Sequence, residues 1–474
     1  MFTHQPLDDA RTQIRLIQIV PWQDGDDEEA ISLTLVVREL KAEEDDDHVE
    51  GDGVECFDEQ WFEEDESRAL VFGAGPQTNS RLETDSHVTT SSDDQSEPGE
   101  GPIYTALSYM WGPPEPSRII LLDGQPFSIR LNLCQCLRVL RKQASPEVCY
   151  WIDQLCIDQD RLVERAEQVQ RMDQIYSSAD HVLLWLGDHD YVDTLLMLAG
   201  RSVSRVYASS LDSINNTEEV LRVKLPEGIL LSSALQKHDD PLEDVLDLER
   251  LEGDEVPLFK QSFQLAIREE LHDYGLHEDP FLEQFARMRE NPYWRRAWII
   301  QESLLAYDLR ILGPKHELPW PVFALFHEAV RSVDEDDERR NDRRRELYNG
   351  LFRILDIRAF NRGPCQRNGL PFSALMTSMP SAECADIRDR FYSILGLVPQ
   401  EQPFEVDYTI STRTLYFRVL DWLEPAESQL YVHAIAMLLD LDVTDIQEGI
   451  SADEQRILEL HRPSALPWTE VEER

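Results

Sequence analysis

Two early runs, Ile14–Val20 and Ile31–Val37, alternate apolar and polar positions. They predict paired strands on either side of the acidic turn Asp24–Glu29. Tyr104–Tyr109 is a short apolar run read as a buried strand, ending in the turn Trp111-Gly112-Pro113-Pro114. Ile119–Leu122 and Phe127–Ile129 flank Asp123-Gly124, a dipeptide suited to a type I′ hairpin because both central residues need positive φ. Leu133, Cys136, Leu137 and Leu140 fall at i, i+3, i+4 and i+7, which predicts a helix with Asn132 placed to cap it. Val148–Ile152 reads as a buried strand closing on Asp153. After it comes a helix, with Asp160 as expected cap and Val169, Met172, Ile175 and Tyr176 on one face, then the strand His181–Leu186. Strand, helix, strand, helix, strand in so short a span is the grammar of a parallel sheet covered by helices.

Helical patterning returns at Phe263–His272, Pro280–Met288 and Trp294–Leu305. The last third carries three further apolar stripes: Leu347, Leu351, Ile354 and Leu355; Phe391, Ile394, Leu395 and Val398; Leu415, Val419 and Trp422. Between them Asp334–Arg345 is a mixed-charge run, read as a solvated helix face or a linker.

Composition adds limits. A chain of 474 residues implies two or three structural units. From Ala42 to Gly101, acidic clusters (Glu43–Asp47, Glu63–Glu66) give way to the Ser/Thr/Asp/Gly stretch Thr84–Gly101, a composition expected to be disordered. Phe57, Trp61 and Phe62 within it would suit a docking motif, although a solvated acidic insert is the simpler reading. A formal net charge of −47 argues against nucleic acid as a partner, since phosphate would be repelled over most of the surface. The seven cysteines are scattered and partly embedded in apolar runs, the pattern of reduced thiols inside a cell. No Cys/His spacing suits a metal, no leader peptide is legible, and the longest apolar run, Leu430–Leu439, is too short to span a bilayer. The expected location is the cytoplasm.

Three blocks carry a family resemblance. The first is Tyr104-Thr-Ala-Leu-Ser-Tyr-Met-Trp-Gly112. The second runs from Trp151-Ile-Asp-Gln-Leu-Cys-Ile-Asp-Gln159 through Glu164-Arg165, Gln168, Met172, Ile175-Tyr176 and Ala179 to Trp185-Leu-Gly187. The third is Tyr293-Trp-Arg-Arg-Ala-Trp-Ile-Ile-Gln-Glu302, echoed downstream by Arg388–Leu397 and Val406-Asp-Tyr408. In this order the blocks resemble the heterokaryon incompatibility (HET) domain of filamentous fungi, a distant relative of TIR domains. The resemblance implies an α/β fold, a TIR-like parallel sheet with covering helices, followed by a mostly helical C-terminal region. It divides the chain into N-terminal strands packing on the domain (1–40), an acidic disordered insert (41–101), the first part of the domain (102–188), a variable acidic insertion (189–279), a closing segment (280–312) and the C-terminal region (313–474). It also implies a part in non-self recognition and regulated cell death, acting by self-association as a signalling adaptor.

The alternative it implies is enzymatic. TIR enzymes cleave the nicotinamide–ribose bond of NAD with a glutamate a few residues after a tryptophan, and Trp298-Ile-Ile-Gln-Glu302 has a similar spacing. Glu302 is then the catalytic candidate, and Ser108, Tyr109, Trp111 and Asp153 are the candidates for holding NAD as substrate. Cleavage passes through an oxocarbenium-like ribose that one carboxylate can stabilise. From the residues alone, Glu302 is an acid in an apolar stretch, which calls for either a partner, Arg295 or Arg296, or a cavity. Asp153 reads equally as a turn former or a site residue, and Glu164 as a partner of its helix dipole. A third reading is a non-catalytic scaffold whose acidic insert recruits a basic partner. No GxGxxG or GxxxxGK[ST] loop is present to support redox or P-loop chemistry.

Overall fold

In the computed structural model of the chain, the described residues are 2–21, 30–40, 102–215, 255–334, 354, 358, 372, 375, 382–398, 403–423 and 425–460. Nine strands form one sheet: β1 (Gln13–Ile19), β2 (Ser32–Glu39), β3 (Thr105–Tyr109), β4 (Ser117–Leu122), β5 (Gln125–Arg130), β6 (Cys149–Trp151), β7 (His181–Trp185), β8 (Leu309–Leu312) and β9 (Glu317–Pro319). Their order across the sheet is β5-β4-β2-β1-β6-β3-β7-β8-β9. The strands β6, β3, β7 and β8 are mutually parallel, and antiparallel pairs extend them on both sides. The sheet is therefore mixed, with the expected parallel sheet as its centre. All five residues of β3 are buried, as a strand covered on both faces requires. Taken in chain order, the four parallel strands lie 2-1-3-4, so the order reverses at β3, and ligand crevices of open α/β sheets form outside the strand ends at such a reversal.

Local chemistry explains the edges. The N-terminal runs pair as an antiparallel hairpin, Gln13 opposite Glu39 through Ile19 opposite Leu33. Asp123 (φ 48°) and Gly124 (φ 72°) both take the left-handed conformation that the type I′ turn between β4 and β5 demands. Helix α1 (Leu131–Lys142) buries the predicted stripe but begins two residues early, after Arg130, with no side-chain cap. Asn132 is diverted from capping: its amide donates to Met110 O (2.6 Å) and accepts from Trp185 Nε1 (2.9 Å). Two buried tertiary bonds outweigh one local cap.

Short helices α2 (Asp153–Cys156), α3 (Leu162–Val169) and α4 (Met172–Ser177) connect β6 to β7. Glu164 is not merely a dipole partner. It pairs with the buried Arg15 of β1 at 2.5 and 3.1 Å and accepts from Asp158 N, fastening α3 to the N-terminal hairpin. Helix α5 (Asp190–Asn215) packs on α6 (Glu255–Asp273), α7 (Glu278–Arg289) and α9 (Trp320–Asp334). Its Val192, Leu196, Leu198 and Ala199 are buried in the common core. The expected acidic insert 41–101 and the middle of the second insertion (216–254) lie outside the described residues, as do Leu347, Leu351 and Leu355.

The predicted helix Trp294–Leu305 is broken. Asn291 accepts from Tyr293 N (2.9 Å) to start a 3-10 turn, Pro292–Arg295; Arg296 is extended, and α8 (Ile299–Leu304) follows. The break arises because Arg296 forms a β-bridge with Glu383, whose N–H donates to Arg295 O (2.6 Å) and whose carbonyl accepts from Ala297 N (3.0 Å). The C-terminal region is helical, with α10 (Asp389–Tyr392), a 3-10 turn at Leu395–Leu397, α11 (Thr412–Trp422), α12 (Pro425–Leu438), α13 (Val443–Gln447) and α14 (Ala452–Leu460). No helix among the described residues is long and apolar enough to cross a membrane.

Candidate functional site at the ends of the parallel strands

Ser108 and Glu302, far apart in sequence, are in direct contact. Ser108 sits near the end of β3 with its hydroxyl buried, and its Oγ donates to Glu302 Oε2. Glu302 lies in the first turn of α8, where the helix dipole favours an acid, and is only 2% exposed. Its carboxylate is held at both oxygens by Arg296, with Nη1 2.9 Å from Oε2 and Nη2 3.0 Å from Oε1. Of the two arginines open as partners, Arg296 is the one used; Arg295 turns outward to Glu383 at 3.0 Å. The same extended Arg296 that bridges to Glu383 thereby aims its guanidinium into the sheet end.

Tyr293 completes the group, with its hydroxyl 2.5 Å from Ser108 Oγ and its ring under the Arg296 guanidinium. Burial, and next the nearby Glu302 charge, push its phenol well above the usual range. Tyr293 and Arg296 belong to the third sequence block, yet pattern reading gave neither a definite role. The signal was the two arginines beside an otherwise apolar run ending in an acid.

Asp153 and Trp111 form a second layer. Asp153 follows β6, accepts from Gln154 N (2.7 Å) as a turn former would, and also accepts from Trp111 Nε1 (2.7 Å). Asp153 is thus a turn former whose carboxylate also holds the Trp111 indole. Burial raises its carboxyl to about 6, with Arg296 and the Trp111 bond opposing and Glu302 adding to the shift. Trp111 is partly exposed and stacked by Arg130, whose guanidinium lies 5.0 Å from the ring and donates to Gly112 O (2.5 Å). Tyr109 is as buried as Ser108 and Glu302, and its side chain also bonds Asp153. It is 1% exposed, with its hydroxyl on Gln154 Oε1 (3.3 Å), so its ring offers no free face to a ligand.

The closing segment is tied in from both sides. Asn291 donates to Leu186 O (2.8 Å) at the end of β7, next to Gly187, whose φ of 100° strains any L side chain and whose added Cβ would crowd the His189 ring at 3.0 Å. On the other side the downstream echo clamps it. Asp389 is buried, accepts from Tyr408 OH (2.6 Å), is bonded by the Trp298 side chain, and lies 3.8 Å from Arg165 of α3, which covers the Tyr408 ring at 3.9 Å. Arg388 donates to Tyr408 O and Ile410 O. The echo motif is therefore a structural clasp on the second and third blocks.

Burial raises the Asp389 carboxyl to about 6, against the opposing Tyr408 bond and Arg165 charge. A folded-state value above the usual one means the folded chain holds more protons between about 4 and 6, so stability falls as pH rises through that window. The full shift corresponds to at most about 3 kcal/mol. Asp389→Asn should accordingly gain stability relative to the parent as pH rises from 4 to 7, measured by paired urea titrations. A difference independent of pH would contradict the assignment.

Residues 104–302 match the family model "Heterokaryon incompatibility protein (HET)". The matched stretch begins at Tyr104, next to β3, and ends at Glu302. It is also 26% identical over 339 residues to "Heterokaryon incompatibility protein 6, OR allele" of Neurospora crassa, an alignment covering 66% of this chain and 45% of that protein. The chain thus spans less than half the length of that relative. No solved structure matches it.

Proposed function

We propose that the chain acts in fungal non-self recognition and regulated cell death, in the cytoplasm, with its HET domain as a self-associating signalling adaptor. The match to a family of incompatibility proteins supports the biological role. The state of Glu302 supports the adaptor mechanism. A carboxylate bonded at both oxygens to Arg296, touched by Ser108 and closed from solvent serves to join β3 to the closing segment. To stabilise a ribosyl cation it would first have to leave that pair.

The NAD-cleaving reading remains as an alternative on one observation: Ser108, Trp111, Asp153 and Glu302 converge at the reversal of strand order, where such sheets bind ligands. In that reaction the N-glycosidic bond breaks with its electron pair leaving on nicotinamide. Water then adds to the ribose and releases a proton to solvent.

Concentrated purified chain incubated with NAD separates the two. The adaptor reading expects no nicotinamide release above buffer and concentration-dependent association by sedimentation. It also expects Glu302→Gln to lose about 2–3 kcal/mol of stability, since a charged hydrogen-bonded partner of buried Arg296 is removed. Steady nicotinamide release that Glu302→Gln abolishes, with melting unchanged, would overturn it in favour of the enzyme.

A further inference from the structure

The lock on Glu302 and the contact that maintains it belong to different parts of the chain. The matched stretch ends at Glu302, whereas the backbone that keeps Arg296 extended is that of Glu383, in the C-terminal region. Two hydrogen bonds make this bridge, Glu383 N–H to Arg295 O (2.6 Å) and Ala297 N–H to Glu383 O (3.0 Å). Beside them, Arg295 Nε meets Glu383 Oε1 at 3.0 Å through side chains that are each 57% exposed. The pair under this control is closed, with the Arg296 and Glu302 side chains 14% and 3% exposed. A contact at the surface thus sets the geometry of a buried pair.

The segment between is anchored independently at both ends. On one side Asn291 starts the 3-10 turn, and Trp294 Nε1 donates to Met288 O (2.7 Å). On the other, α8 is held by the Trp298–Asp389 bond and by Arg358, which donates to Ser303 O (2.6 Å) and Ala306 O (3.0 Å). The Gln301 amide, oriented by its partners, adds a bond to Ser393 O (2.9 Å). Residues 295–297 take their extended course from Glu383. The φ of Arg296, −65°, is equally a helical value; its ψ of 139° is what the bridge imposes. The apolar pattern of the segment favours the other state, unbroken helix across Trp294–Leu305. In a helix six residues turn the chain by about 600°, so Arg296 and Glu302 would project about 120° apart and could not pair.

We propose that the Glu383 backbone is a release catch: drawing Ala382–Cys384 away from residues 295–297 turns Arg296 off Glu302 and opens the carboxylate, while the Asp389 clasp stays closed. The catch rests on the reading of Glu302 as a locked carboxylate, and would regulate an associating domain or an enzyme alike. The resting chain stays locked because opening strands Glu302 beside Ser108 without its cation. A partner that captures Ala382–Cys384 acts on Glu302 without reaching it.

Carboxyl labelling of the full chain by a water-soluble carbodiimide and an amine, read by peptide mass spectrometry, reports Glu302 and Asp389 together. Glu383→Pro removes the N–H that bonds Arg295 O, whereas Glu383→Gln keeps that backbone and removes only the charge. Glu302 should label about fivefold faster in Glu383→Pro than in the parent, as the loss of one backbone hydrogen bond dictates. Asp389 should label at the parent rate, and Glu383→Gln should match the parent at both acids. Unchanged Glu302 labelling in Glu383→Pro, equal acceleration in Glu383→Gln, or Glu302 and Asp389 accelerating together would overturn the proposal. Hydrogen exchange of the parent needs no variant. The Ala297 amide should exchange through a local opening insensitive to dilute urea, ahead of the Ser393 amide, which bonds Asp389 O (2.9 Å) inside the clasp. Equal protection of the two would show that the bridge opens only with the clasp, and the catch would be refuted. None of these measurements scores association or nicotinamide release, the results that decide between adaptor and enzyme.

Discussion

Arg296→Met is expected to cost about 3–5 kcal/mol of unfolding free energy, because it leaves a buried carboxylate with only the Ser108 hydroxyl for company. The cost arises less from the lost attraction than from stranding Glu302, which is 2% exposed and out of reach of bulk water. Replacing both partners removes that penalty. The double variant Arg296→Met with Glu302→Leu should recover to within about 1–2 kcal/mol of the parent, since an apolar pair can fill the same space without an unpaired charge. Urea titration is the measurement, and the midpoint should move while the slope stays constant. A single variant with the parent midpoint would show that the pair opens readily to solvent, the condition the enzymatic reading needs. Recovery in the double variant, combined with lost signalling, would separate holding the fold from presenting a surface.

How far the site was legible depends on the range of the interaction. The hairpin at Asp123-Gly124 was readable because its cause is local: two adjacent residues must take positive φ, and Gly does so freely. The strand β3 was readable because a strand buried on both faces is mostly apolar, with Thr105 and Ser108 as its polar exceptions. That Glu302 needed a partner followed from its apolar surroundings, but the choice between Arg295 and Arg296 did not. It is made by Glu383, whose backbone pulls residues 295–297 out of helix and so sends alternate side chains to opposite sides. Nothing within the third block encodes that bridge. Asn132 shows the same limit: its sequence position suits a cap, and only the meeting of Met110, just after β3, with Trp185 of β7 redirects it. Asp389 and Tyr408 were visible as a motif, while their role as a clasp required knowing that Arg165 and Trp298 lie beneath them.

Trp151→Ala should be the most damaging single truncation in the strands, at about 3–5 kcal/mol. Trp151 ends β6, is fully buried, and meets the Tyr176 ring edge-on at 5.5 Å, so it joins the sheet to α4 directly beneath the candidate site. Its indole N–H finds no hydrogen-bond partner among the described residues. That detail distinguishes size from polarity. Trp151→Phe keeps an aromatic body and discards an unsatisfied donor, so it should cost well under half as much as the alanine variant despite the smaller ring. Thermal and urea unfolding of the two variants provide the test, with the proposed cell-death response scored alongside. A core residue predicts that stability and response fall together, severely for alanine and mildly for phenylalanine. If Trp151→Ala were fully stable and only the response were lost, the ring would be a contact residue for a partner. The burial of Trp151 between β6 and α4 would then have to open during signalling.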